Sequence, residues 1–217
     1  MTLSDAELEA LYRAADATEF AARDAALVRA ALYWGFTATE LSLLEVQHVL
    51  TVDGEWRERF VLPAAFAFNG LARTAWLRDP AFVASLETWL HWRAELGWDR
   101  TEANRFRGFE AKAPLFVNNH GRPFAMTPRS PGSTDLLPSG MNRQLRELLD
   151  RAGLQHHSPH VLRDTYIVRL WQRGLSRHEI MQLTGIRKAE TISRKIRHLI
   201  PEPRQVFADF LPGHSTA

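Results

Sequence analysis

Within HVLRDTYIVRLWQRG, residues 160–174, a histidine and an arginine stand three positions apart, His160 and Arg163, in an otherwise apolar helical run. Positions i and i+3 of a helix share a face. His160 lies at the expected helix start, where unpaired N–H groups and the helix dipole favour anions. Arg163 offers a rigid fork of donors that matches phosphate oxygens. Together they could hold a phosphate. The competing reading is a structural arginine paired with a nearby acid, for which Asp164 and Asp150 are the candidates.

A second constellation follows. SRHEIMQLTGIRKAETISRKIRHL, residues 176–199, reads as a helix-turn-helix. Ile180 and Leu183 would pack inward, Gly185 would make the turn, and Thr191, Ser193, Arg194 and Lys195 would approach DNA. Residues 187–197 hold five basic side chains, Arg187, Lys188, Arg194, Lys195 and Arg197, against one Glu. The formal net charge is only +2, but it is unevenly spread. From Arg143 to Arg204 there are thirteen basic and six acidic residues, whereas residues 1–142 carry fourteen basic and eighteen acidic ones. A basic stripe of this kind attracts polyanions, nucleic acid first among them. Its bland counterpart is an ordinary solvated helical surface.

His156, His157 and His160 raise the question of a metal. No cysteine accompanies them and no acid in the same turn has a clear ligand role, so no metal is expected. Phosphate-loop, dinucleotide-loop and nucleophile-elbow patterns are absent, and no cofactor is expected.

The elements that must position these groups are legible in outline. Ser4 with Glu7, Thr37 with Glu40 and Ser176 with Glu179 match capping boxes, each opening a helix. A helix is predicted from about Ala22 to Trp34, ended by Gly35. Val49–Val52 and Arg57–Leu62 read as strands, and residues 66–76 as ambiguous ground for a third. Pro80 opens a long helix to about Leu96, with Trp89 and Trp92 facing the core. Leu115–Val117 followed by NNHGRPF suggests a hairpin. Residues 127–140 form the clearest loop, rich in Pro and Gly. Helices follow over 141–152, from a Ser158 cap to Arg173, and from about Ala189 to Leu199.

The 217 residues suit one large domain with a short appendage, and 45% hydrophobic residues allow a substantial core. The expected division is a single domain over residues 1–200 and a tail over 201–217. In that tail VFADFL, Val206–Leu211, is apolar and suited to docking. No secretory signal or membrane span is read, and the absence of cysteine fits a cytoplasmic protein.

At this point an ordered series of motifs resembles the tyrosine recombinases, the phage integrase family. HVLRDTYIVRLWQRG resembles the family's H-x-x-R segment. LSDAELEALYRAAD resembles the first helix of its catalytic domain, and ALYWGFTATELSLLEVQHV the segment that normally reads T-G-L-R-x-S-E-L. RERFVLP looks like its R-x-x-x-P-L strand, LFVNNHGRPF like the next landmark, and LSRHEIMQLTGI like the helix leading into L-G-H. The series runs in order from about residue 3 to 199.

The resemblance implies an α+β fold, mainly helical around a small antiparallel sheet. It also implies duplex DNA as partner and tyrosine attack on a phosphodiester, helped by two arginines and a histidine or lysine that stabilise growing negative charge. His160 and Arg163 match the family's histidine and second arginine. The first arginine falls on Thr37, the turn lysine near Glu55 or Arg57, and the position after Arg163 is Asp164. The histidine or tryptophan after the glycine is Ile186, and the nucleophilic tyrosine falls on Lys195. Tyr166 sits at a core aromatic position, and Ser193 has no accompanying base.

The chain is therefore expected to bind DNA without cleaving it. His160 and Arg163 would hold a backbone phosphate, and Arg187, Lys188, Arg194, Lys195 and Arg197 would contact backbone or groove. The family's N-terminal DNA-binding domain is not expected ahead of this segment, so weaker, salt-dependent binding is expected, helped by a recombinase or another DNA-binding partner. In the family the C-terminal segment often docks on a neighbouring subunit, which makes self-association through the tail an expectation as well. A protein-interaction module without DNA contact and an enzyme with a displaced nucleophile are the alternatives.

Overall fold

Three capping boxes set where helices begin, and each forms with both of its reciprocal hydrogen bonds. Ser4 and Glu7 open α1 (Asp5–Asp16), Thr37 and Glu40 open α3 (Ala38–Leu43), and Ser176 and Glu179 open α8 (Arg177–Thr184). The computed structural model describes residues 2–200. The expectation for Val206–Leu211 lies outside them.

Among the described residues the fold is mainly helical α+β with a small antiparallel sheet. After α1 come α2 (Ala21–Trp34), α3, the single turn α4 (Val46–Val49), β1 (Arg59–Leu62), β2 (Arg73–Trp76) and α5 (Pro80–Glu95). Then follow β3 (Thr127–Pro128), β4 (Leu136–Leu137), α6 (Ser139–Arg151), α7 (His160–Gln172), α8 and α9 (Ala189–Ile196). Strand β1 pairs antiparallel with β2, Phe60 opposite Ala75, and β3 pairs with β4.

Helix α2 is apolar on nearly every side, as a central helix must be. Ala26, Leu27, Val28, Ala30, Ala31 and Trp34 are all buried, and the helix packs on α1, α5 and α7. Trp89 on α5 is fully buried and donates its indole N–H to the Leu115 carbonyl at 2.8 Å. Trp92 is half-buried and stacks on it. Helix α7 divides its faces between two cores. Val161 and Leu162 join the main one, while Ile167 and Val168 meet Ile180, Ile192 and Ile196 in a second cluster shared with α8 and α9.

Some sequence expectations are corrected. Val49–Val52 is not a strand. Val46, Val49 and Leu50 are all fully buried, and the spacing i, i+3, i+4 achieves that on one face of a helical turn, whereas a strand would send Val49 and Leu50 to opposite faces. Only a single bridge joins Leu50 to Trp56. The ambiguous stretch 66–76 does supply a strand, β2, so the turn of the sheet is the long loop 63–72. Ser158 gives α7 no side-chain cap; Pro159 occupies the cap position, and the Ser158 carbonyl accepts from Val161 N–H at 2.9 Å. The loop 127–140 contains the β3–β4 pair, and α6 starts at Ser139 rather than 141.

Candidate nucleic-acid interface and its buried anchor

Helix α7 carries both His160 and Arg163, but it presents them differently. His160, at the first turn, is exposed. One turn on, Arg163 is 8% exposed and its terminal nitrogens point inward. One donates to the Gly35 carbonyl at 2.9 Å and lies 3.4 Å from Glu40 Oε2, and the other donates to the Thr184 carbonyl at 2.6 Å. Arg163 thereby ties the ends of α2 and α8 to α7. The expected partners were Asp164 or Asp150; the acid that meets it is Glu40. Both terminal nitrogens of Arg163 are engaged by protein acceptors. The cleft that Thr37, His160 and Arg163 line together is small, about 20 Å³, room for a single water molecule.

Glu40 is the hub. It is 0% exposed. Arg73 on β2 donates to both of its oxygens, at 2.6 and 2.7 Å. The Thr37 N–H donates at 2.7 Å and the Phe68 N–H at 3.0 Å. Burial pushes the carboxyl up, but the Arg73 hydrogen bonds, the charges of Arg73 and Arg163 and the Thr37 N–H outweigh it and hold the group below the usual carboxylate range. Burial lowers Arg163, and Glu40 opposes that shift.

Loop 63–72 lies over this hub. The Phe68 ring sits near the Arg163 guanidinium, with the carbon 5.9 Å from the ring centroid. Asn69 donates its amide to the carbonyl of Gly185, and its own carbonyl accepts from Arg187 at 2.8 Å. Gly185 takes the left-handed conformation that ends α8, with φ of 71°. The loop, PAAFAFNGLA, contains no Lys or Arg.

The basic residues of the last helices are placed as follows. Lys195 is half-buried and paired with Asp164. Arg187, Lys188, Arg194 and Arg197 are exposed. Arg194 and Arg197 sit one turn apart, opposite the buried Ile192 and Ile196. Leu183, expected in the core, is half-buried beside an apolar cavity, while Ile186 packs on the second cluster.

All three tyrosines of the chain are described, and none lies on α8 or α9. Tyr12 is on α1 and Tyr33 on α2, where it stacks on Phe82. Tyr166 on α7 packs against Gly35, and burial, partly countered by Arg73 and Arg163, pushes its hydroxyl up to about 12.

A model of the phage integrase family matches residues 1–199. The chain belongs to the phage integrase family. Among solved structures, XerA recombinase superposes with a TM-score of 0.67 at 21% identity, over 99% of this chain and 66% of that one. XerH site-specific recombinase bound to a palindromic difH substrate gives 0.64 at 17% identity, over 96% and 52%. The catalytic domain of bacteriophage HP1 integrase gives 0.52 at 16% identity, over 100% and 98%. The chain thus spans between about half and two thirds of the first two recombinases. At these identities the likeness is one of fold. No curated protein sequence matches.

Thr37 caps α3, Ile186 packs against the second cluster and Lys195 pairs with Asp164. Sequence reading took Glu40 only as a capping residue and missed Arg73.

Proposed function

We propose that this phage integrase family member binds duplex DNA without cutting it, as an accessory or regulatory component of DNA integration or recombination. One observation carries the loss of cleavage: Lys195 stands where the family's motif order calls for tyrosine, held by Asp164, while the chain's three tyrosines lie on α1, α2 and α7. Phosphoryl transfer also needs donors aimed at the phosphate, and both terminal nitrogens of Arg163 are committed to Gly35, Thr184 and Glu40. Exposed His160, Arg187, Lys188, Arg194 and Arg197 support DNA contact, chiefly to the backbone, whereas Arg163 and Lys195 hold the frame.

The test pairs two measurements. Duplex binding is followed by fluorescence anisotropy from low to moderate salt, and a suicide DNA substrate is used to look for a covalent adduct. Binding that weakens with salt and no adduct is the expected pair of results. An adduct would establish an active recombinase with a displaced nucleophile.

A second reading, protein interaction without DNA contact, is favoured by an apolar cavity of about 300 Å³ between α1, α2, β2, α7 and α8, with Tyr12, Tyr33, Trp76, Tyr166 and Leu183 in its lining. Its proposed occupant is the apolar tail segment Val206–Leu211 of a second copy, or a recombinase partner. Absence of DNA binding at low salt, together with concentration-dependent association, would select this reading.

A further inference from the structure

Glu7 and His157 stand 150 positions apart in sequence and meet at the junction of α1 with the loop between α6 and α7. The carboxylate is fixed through one oxygen. Glu7 Oε2 accepts from the Ser4 N–H and the Ser4 hydroxyl, both at 2.8 Å, as part of the α1 capping box. The other oxygen, Oε1, faces two imidazoles, with His157 Nε2 at 3.4 Å and His156 Nε2 at 3.8 Å. These ligand-type atoms all lie within 4.8 Å of one another.

The spacing is informative. A separation of 3.4 Å is long for an N–H···O bond, which prefers about 2.9–3.0 Å. It is close to the edge, about 3.4 Å, of a tetrahedron of nitrogen and oxygen ligands about 2.0–2.1 Å from a zinc ion; the 3.8 Å from Glu7 Oε1 to His156 Nε2 exceeds that edge, so the exposed His156 side chain would have to swing inward to complete the set. Glu7 and His157 are also held in place. His157 is 6% exposed, and its carbonyl accepts from Arg146 at 2.7 Å. His156 is exposed, which leaves one side of the cluster open to water. Ser4 supplies the outer support that orients a ligating carboxylate.

We propose that Glu7, His156 and His157 form a binding site for a divalent transition-metal ion of the zinc class, completed by water. Two imidazoles and one carboxylate suit such an ion, whereas calcium and magnesium favour oxygen ligands. The sequence expectation of no metal looked for an acid beside the histidines; the fold brings one from the first helix. An ion here ties the start of α1 to the segment that leads into α7 and His160. Because its ligands are distant in sequence, it stabilises the folded chain over the unfolded one. The site is independent of the DNA-binding reading, and its test does not involve DNA.

The experiment uses the metal-stripped full chain, titrated with zinc sulfate by calorimetry and melted with and without zinc, with magnesium chloride as the control. One zinc per chain and a raised melting temperature are expected with zinc alone. His156→Ala removes an exposed side chain and should melt near the parent without zinc. Glu7→Gln keeps an oxygen for the Ser4 contacts but removes the charge. Each variant should weaken zinc binding at least about tenfold and abolish the thermal shift. No saturable zinc binding by the parent overturns the proposal. So does binding left unchanged by His156→Ala, because the ion then sits elsewhere.

Discussion

Arg73 on β2 closes both of its terminal nitrogens on the carboxylate of Glu40 in α3, at 2.6 and 2.7 Å, and the pair is buried. The same carboxylate lies 3.4 Å from Arg163 on α7. One acid thus joins the sheet, the third helix and the seventh. It holds the guanidinium groups of Arg73 and Arg163 inside the fold.

Breaking that pair is expected to be severe. Arg73→Met leaves Glu40 buried with Arg163 as its remaining cation, and losing one partner of a buried ion pair costs on the order of 3–5 kcal/mol. Urea denaturation should show a lower midpoint with an unchanged slope.

Acid should destabilise the chain through the same group. Glu40 is held below its ordinary value of 4.5 in the folded chain. Its contribution is therefore present above about pH 4.5 and is lost as pH falls through the lower folded value, because the unfolded chain binds the proton first. Unfolding free energies measured from pH 6 down to about pH 3 should fall, and less steeply in Glu40→Gln than in the parent.

Gly35 is required twice over. Its φ is +60°, and a Cβ there would lie 2.1 Å from Tyr166 Cδ1. Gly35→Ala is expected to cost more than the roughly 1–2 kcal/mol of left-handed strain alone. Adding Tyr166→Ala should recover the steric part but not the backbone part, which a double-mutant cycle in thermal stability would resolve.

Arg194→Ala with Arg197→Ala should weaken duplex binding at every sequence tested. It should also flatten the dependence of log K on log salt by roughly 0.9 for each phosphate that is no longer neutralised. The two side chains are exposed, so the fold should survive. An unchanged slope would remove them from the interface.

On the proposed reading, Lys195→Tyr supplies a tyrosine hydroxyl at the nucleophile position while Thr37 still supplies no cationic donor. No covalent adduct with a suicide substrate is expected. An adduct would mean that His160 and Arg163 suffice, against the buried geometry of Arg163.

The local rules read well from the chain. Capping boxes at Ser4, Thr37 and Ser176 and the stop at Gly35 depend on neighbours within a few residues, and each forms as its spacing implies. The motif order from residue 3 to 199 placed the family and the helical α+β fold. What failed was local evidence applied to groups whose partners are distant. Val49 and Leu50 became a helical turn because both had to be buried together. The partner of Arg163 was sought at Asp164 and Asp150, within its own neighbourhood.

By itself, the sequence determined most of the helices, the three capping boxes and the family, because hydrogen bonds and periodicity along a chain act over short separations. Tertiary structure alone decided that Glu40 would take Arg73 and Arg163, that Asp164 would take Lys195, and that Glu7 would meet His156 and His157. A buried charge must find an opposite charge wherever the fold supplies one, and that choice is made across space, where sequence distance carries no information.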